Sequence, residues 1–298
     1  MPSIKGKVFL WVGGVNPSTF RITDRVFDNL FAQNDIGLLQ SYAVMRAPFL
    51  KGKVNEIKER WFRGHRVMAD SGAFSVATST HGKIDVYEYM DFMATFKDCC
   101  EVFITLDVVT DVNASVRNYD LIRSKGFPVM PVYHIGEPIS LLDDYVKDTG
   151  WVGIGGSVVN NISGEKQRTC YNKIFCKGDD WRYPPFTLHG LGVSGYKLSF
   201  DYPWKSVDNS RAQKFGGYGS LFNPNFFGLY VSDWGFYKAY KEEITSHPLI
   251  PWTEAELKTG PGSSVRRFVY NVAIQREAYI KEREFSMDQM KPDFLDEE

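Results

Sequence analysis

The sequence predicts an α/β fold, a closed (β/α)8 parallel barrel, on three observations. Apolar runs of strand length alternate with stretches of helical periodicity, eight such runs can be counted, and most end in Asp, His or Gly. An open, doubly wound sheet is the alternative that the same alternation permits.

The first strand is read at Val8 to Val12, ending at Gly13-Gly14, and the following helix carries apolar Val26, Leu30 and Phe31 behind a Thr23-Asp24 cap. A second strand is read around Leu38 to Val44, followed by a basic amphipathic helix from about Val54 to Phe62. The third, Arg66 to Ala69, runs into Asp70-Ser71-Gly72-Ala73-Phe74-Ser75, and a helix through Tyr87, Met90, Phe92, Met93 and Phe96 follows. Val102 to Leu106 ends at Asp107. A helix near Ala114 to Arg123 then leads through Gly126 to Val129 to Tyr133, which ends at His134-Ile135-Gly136. After a helix at Leu141 to Val146, the strand Val152 to Ile154 ends at Gly155-Gly156. A helix at Glu165 to Phe175 precedes Thr187-Leu188, which ends at His189-Gly190-Leu191-Gly192, and a short eighth strand at Ser206-Val207 ends at Asp208.

From 215 to 252 the character changes to glycine and aromatics, including Tyr218, Phe222, Phe226, Phe227, Tyr230 and Trp234, which reads as an aromatic-rich elaboration: a lid or stacking surface, or equally a packed satellite core. A last helix is expected over 264 to 285, with Val265, Phe268, Val269, Val272, Ala273 and Ala278 inward and Arg266, Arg267, Arg276, Lys281 and Arg283 outward. The whole chain, 1–298, is expected to be one catalytic barrel domain.

With 43% hydrophobic and 15% aromatic residues, the chain can bury a large core. Its 35 basic and 36 acidic residues balance, so any nucleic-acid contact has to come from a local basic patch. No stretch approaches the roughly 20 apolar residues of a membrane span, and the N-terminus lacks a signal-peptide pattern. A cytoplasmic protein with no membrane partner is therefore expected. Cys99, Cys100, Cys170 and Cys176 form no C-x-x-C pair and read as reduced thiols.

Polar residues at strand ends converge on one mouth of a parallel barrel although they lie far apart in sequence. Asp70, Asp107, His134, Gly155, Gly156, His189 and Asp208 all fall at such ends. An Asp there can also be a helix cap, and a buried His can be a hydrogen-bonded core residue. Three carboxylates on one face point beyond capping, to acid–base and nucleophilic chemistry. The basic candidates are Lys51, Lys53, Lys58, Arg60, Arg63, His65 and Arg66 around Trp61, with Arg211 and Lys214 just past Asp208.

The run Asp70-Ser71-Gly72-Ala73-Phe74-Ser75 resembles the Asp-Ser-Gly-Gly/Ser-Phe-Gln signature of the tRNA-guanine transglycosylase superfamily. Asp107 falls where that family has a second base-reading Asp, and His134 stands in its usual Gln slot. Gly155-Gly156 is similar to the family's base-binding loop. Asp208, in Ser-Val-Asp-Asn-Ser, matches its late nucleophile. The likeness covers roughly residues 66 to 216.

There are departures. No Cys-x-Cys-x-x-Cys follows Asp208, Ser75 and His134 stand where the family has Gln, and the Cys-Val and Pro-Thr-Arg runs are missing. Missing zinc and a compact length resemble the phage and bacterial 7-deazaguanine DNA transglycosylase branch. The resemblance implies exchange of guanine in DNA for a 7-deazaguanine base such as preQ0. Asp208 would be the nucleophile and Asp70 the proton carrier, with Asp107, Ser71, Gly72, His134, Gly155, Gly156 and His189 around the base. DNA and the base are the expected partners, and no zinc or other cofactor is implied. The alternatives are the same chemistry on tRNA, a small-molecule barrel glycosidase or lyase, and a DNA-binding module without turnover.

Overall fold

The computed structural model describes residues 8–73, 83–108, 111–156, 162, 164–178, 180–193, 196–222, 230–231, 242, 251–259 and 261–281. Its central sheet is built from β1 (Phe9–Val12), β2 (Ile36–Ser41), β3 (Val67–Asp70), β4 (Val102–Ile104), β5 (Val129–Met130), β6 (Val132–His134), β7 (Val152–Gly155), β8 (Leu188–Gly190) and β9 (Ser206–Asn209). The strand order is β5-β4-β3-β2-β1-β9-β8-β7-β6, and every pairing is parallel. Only Pro131 separates β5 from β6, so the sheet returns to its own start. Proline has no N–H for the ladder, which splits the strand, while its carbonyl still accepts from Gly153 N at 2.8 Å. Counted this way the nine strands make eight, and the fold is the (β/α)8 barrel.

Alternation along the strands divides the core. Trp11, Met68, Val102, Ile104, Met130 and Val132 point inward and fill the barrel with Phe9, Leu39, Trp151 and Leu191, while Leu10, Val12, Leu38, Val67, Phe103 and Val207 face the helices. Trp11 pairs in register with Gly37, whose absent Cβ would sit 2.4 Å from the indole ring. Gly37→Ala is therefore expected to cost about 1–3 kcal/mol by overpacking. Thermal melts should show a drop of several degrees, and an unchanged midpoint would mean that the indole has room to move.

Helices α1 (Pro17–Phe31), α2 (Tyr42–Leu50), α3 (Val54–Ile57), α4 (Val86–Phe96), α5 (Val112–Ser124), α6 (Ile139–Thr149), α7 (Glu165–Phe175), α8 (Tyr196–Phe200), α9 (Arg211–Gly217), α10 (Glu254–Lys258) and α11 (Ser263–Lys281) surround the barrel. Several differ from the sequence reading. Helix α1 begins at Pro17, whose fixed φ suits a first helical position, so Thr23 and Asp24 lie inside it and do not cap it. The apolar run after Ser41 is not strand but α2. The basic helix is α3 continued by a π-helical turn, Lys58–Phe62, that ends at Arg63 in the left-handed region (φ 52°).

Helix α11 packs against α1 and α9 and so closes the ring as its last helix. Arg267 and Arg276 are buried in it, not outward as expected. Arg267 donates to the carbonyls of Gly216 (2.8 Å) and Leu257 (2.7 Å), and Arg276 forms a fork with Asp35 at 2.8 and 2.6 Å. Each guanidinium is matched by fixed acceptors, which is what permits its burial. The expected helix residues 282–285 lie outside the described residues. Within the aromatic segment, Leu221–Phe222 pairs antiparallel with Tyr230–Val231, and Tyr218 is exposed; Phe226, Phe227 and Trp234 lie outside the described residues.

Candidate active site

A cavity of about 630 Å³ opens at the C-terminal ends of the strands, within the range of roughly 300–1,000 Å³ usual for small-ligand sites. Leu39, Ile104 and Val132 line it as inward-facing strand residues with Leu191 from the loop after β8, Asp70, Asp107, His134, Gly155, Gly156 and Asp208 stand along it, and Asn209, Arg211, Lys214 and Phe215 complete it. The three carboxylates reach one space because Asp70 continues the inward face of Met68, Asp208 that of Ser206, and Asp107 the loop after β4.

Asp208 does not cap the helix that follows it. Asp70 Oδ2 accepts from Gly72 N at 3.1 Å, just ahead of helical Ala73, and α4 is capped by Asp85, whose side chain accepts from Tyr87 N and Glu88 N. Helix α9 starts after Ser210, whereas Asp208 Oδ1 accepts from Gly192 N, 3.0 Å away on the loop after β8. Asp208 is thus anchored through Oδ1, and among the described residues Oδ2 accepts no hydrogen bond.

His189 lies behind Asp208, fully buried, and is not at the cavity wall as expected. Its Nδ1 is 2.8 Å from Ser206 Oγ, and its Nε2 is 3.3 Å from Asp208 Oδ1 in poor hydrogen-bond alignment. The consistent proton arrangement has Ser206 Oγ donating to Nδ1, which turns Nε2–H toward the carboxylate. Ser71 and Gly72 are also set back from the cavity. Ser71 is buried, with its Oγ accepting from Ala73 N at 3.4 Å. Gly72 has φ +84°, and a Cβ there would come within 2.4 Å of Ala43 Cβ, so this glycine serves the turn and the close approach of α2. Phe74 and Ser75, the end of the signature, lie outside the described residues.

Two residues that sequence reasoning misses are built into the site. Glu137 binds His134 twice, through the backbone N–H (2.9 Å) and through Nδ1 (3.1 Å), while His134 Nε2 meets Asp107 Oδ2 at 2.9 Å. The signal available was the spacing His134-x-x-Glu137 across a glycine turn. Asn209 is buried, and its Oδ1 accepts from Arg211 N and from Gln275 Nε2. Nothing in its local sequence distinguishes it from a turn residue.

Burial, then the charges of Asp107 and Asp208, push Asp70 up to about 7. For His134, burial pulls downward, but the hydrogen bonds and charges of Asp107 and Glu137 outweigh it and hold the ring at about 9. The signs for stability follow. Asp70 in the folded state lies above the unfolded value of about 3.9, so a penalty on folding grows as pH rises from about 4 to about 7. His134 contributes stability that is complete below about 6.5 and is lost as pH rises through about 9. Thermal midpoints should therefore fall between pH 5 and pH 9, and a midpoint that rises across that window would contradict this charge arrangement.

The basic residues divide. Arg211 and Lys214, on α9, line the cavity. Lys51, Lys53, Arg60 and Arg63 do not: α2 leaves the mouth at Ser41 and runs back, so these residues lie on the return toward the start of β3, at the far end of the barrel. There Lys53 and Arg60 pair with Glu56 at 3.0 and 3.3 Å, and Arg63 forms a fork with Asp28 at 3.0 and 2.6 Å. They form no common surface with the cavity. No group of three or more His, Cys, Asp or Glu side chains able to hold a metal ion occurs among the described residues, and the four cysteines are free thiols. No described helix is long and apolar enough to cross a membrane.

Neither a scan against family models nor a search of curated proteins gives a match. Among solved structures, the chain is similar to the tryptophan synthase α-subunit of the hyperthermophile Pyrococcus furiosus. Three structures of it share 12%, 13% and 13% identity with TM-scores of 0.42, 0.40 and 0.43, each over 72% of this chain and 91% of theirs.

Proposed function

We propose that this barrel is a pentosyltransferase that exchanges guanine in DNA for a 7-deazaguanine base through a glycosyl–Asp208 intermediate. The observation that carries the reading is a division of labour between two carboxylates in one cavity. Asp70 sits at about 7, poised to give and take a proton, beside Asp208, which is anchored through Oδ1 and accepts no hydrogen bond on Oδ2 among the described residues. The strand-end likeness to the transglycosylase superfamily supplies the substrate class.

In the first displacement Asp208 Oδ2 attacks C1′ of the target nucleotide, the C1′–N9 bond breaks, and Asp70 delivers its proton to the departing guanine. In the second, the incoming base returns a proton to Asp70 as its N9 displaces Asp208 from C1′. Two inversions retain configuration, as in retaining glycoside hydrolysis. A duplex substrate has to flip the target base into the cavity, at a cost of a few kcal/mol. Arg211 and Lys214, which line the cavity, would meet its phosphates.

The test is incubation of the protein with guanine-containing duplex DNA, or with tRNA, and a 7-cyano-7-deazaguanine base, followed by mass spectrometry of the digested nucleosides. The deazaguanine deoxynucleoside is expected from the DNA; incorporation only into tRNA, or into neither polymer, would overturn the DNA assignment. Arg211→Ala with Lys214→Ala is expected to weaken DNA retention and to lower the salt slope by about 1 for each phosphate no longer neutralised. Arg63→Ala and Lys53→Ala should leave both unchanged. Equal effects at the two ends of the barrel would place DNA elsewhere.

A further inference from the structure

Asp107, His134 and Glu137 form a continuous chain at one wall of the cavity, and their side chains are each only 10–12% exposed. Glu137 uses both oxygens on one residue: Oε2 accepts the His134 backbone N–H and Oε1 faces Nδ1. The turn that brings it back passes through Gly136 at φ +105°, and Glu137 N donates to His134 O at 3.0 Å. The other ring nitrogen faces Asp107 Oδ2. Among the described residues, the titratable groups at hydrogen-bond distance from the ring are these two carboxylates. On the β7 side stands Gly155, where a Cβ would come within 3.2 Å of His134 Cδ2, so the glycine leaves the ring its place.

Each ring nitrogen thus meets a carboxylate oxygen. A neutral imidazole carries one N–H and one bare lone pair, and the lone pair would face an acceptor; only a ring with both protons satisfies both contacts. Asp107 then accepts from His134 through Oδ2, and Oδ1 accepts no hydrogen bond among the described residues.

We propose that Glu137 is a positioning residue: by holding His134 doubly protonated it fixes Asp107 as a hydrogen-bond acceptor toward the cavity, which selects a base whose edge presents N–H donors. The ligand class in this statement rests on the base-exchange reading; the role of Glu137 does not. A base with a ring N–H beside an exocyclic amino group satisfies Asp107. One with a bare ring nitrogen there leaves two acceptors face to face, a mismatch that a buried site penalises heavily.

The experiment combines nuclear magnetic resonance of imidazole-15N-labelled protein, with His134→Asn to identify the signal, and exchange kinetics of Glu137→Gln. In the wild type both His134 nitrogens should appear protonated at pH 7, with the transition near pH 9. Glu137→Gln, whose amide can no longer accept through both positions, should move that transition down by more than one pH unit. It should raise KM for the incoming base about tenfold, change kcat less, and reduce discrimination between guanine and 2-aminopurine, whose ring nitrogen at that edge is bare. A wild-type ring that is singly protonated at pH 7 overturns the proposal without need of any variant. So does a Glu137→Gln protein with unchanged KM and discrimination. If the wild type exchanges no base while its His134 is doubly protonated and Glu137→Gln removes a proton, the role of Glu137 stands and the transglycosylase reading falls.

Discussion

Asp208→Asn is expected to reduce base exchange by at least about 10³-fold while leaving the protein folded and able to bind the free base. An amide has no anionic oxygen with which to attack C1′, and decreases of this size are typical when a covalent nucleophile is removed. The fold should survive because the amide oxygen can still accept from Gly192 N, the one backbone donor on this side chain among the described residues. Nucleoside analysis after incubation with DNA and base gives the rate, and circular dichroism checks the fold. Retention of more than about a tenth of wild-type exchange would assign the nucleophile to another group.

Asp70→Asn is expected to have two effects of opposite sign. Exchange should fall about 10²- to 10⁴-fold, because Asp70 is the cavity group whose pKa suits protonation of the leaving base near neutral pH. Stability should rise. Holding an ionised carboxylate among Asp107 and Asp208 costs folding free energy above about pH 7, and a shift from 3.8 to about 7 corresponds to a few kcal/mol at most. A neutral amide removes that cost, so the melting midpoint at pH 8 should increase by several degrees, and the gain should vanish near pH 4. A site arranged for catalysis at the expense of stability behaves in this way. A variant that loses activity and also melts lower at pH 8 would mean that Asp70 is held by hydrogen bonds that its ionised form needs.

The barrel is legible in the sequence because each of the three carboxylates lies at or just past the end of a short apolar run, so the alternation of runs places Asp70, Asp107 and Asp208 on one mouth. The same logic fails where periodicity is ambiguous. Tyr42-Ala-Val-Met reads equally well as the end of a strand or the start of a helix, and only the fold shows that the last register pair is Ser41 with Asp70. Strand-end counting does not separate layers. His189 shares the inward face with Leu191 yet lies one layer deeper, beneath Asp208. Sequence proximity groups the basic residues, but α2 carries Lys51 to Arg63 to the opposite end of the barrel from Arg211. Glu137 is missed because the spacing His134-x-x-Glu137 gains its meaning only once the glycine turn folds it back onto His134. Arg267 and Arg276 read outward from their charge, and their partners, the Leu257 carbonyl and Asp35, are only brought near by the fold.

The central claim is that Asp208 carries the sugar between two bases, and the most direct measurement is peptide mapping by mass spectrometry of protein quenched in acid during exchange on a short guanine-containing duplex. The account predicts an adduct of the oligonucleotide sugar on the peptide containing Asp208, which disappears on addition of excess base and is absent from Asp208→Asn. An adduct on a different residue, or rapid exchange with no adduct under conditions that preserve glycosyl esters, would contradict it.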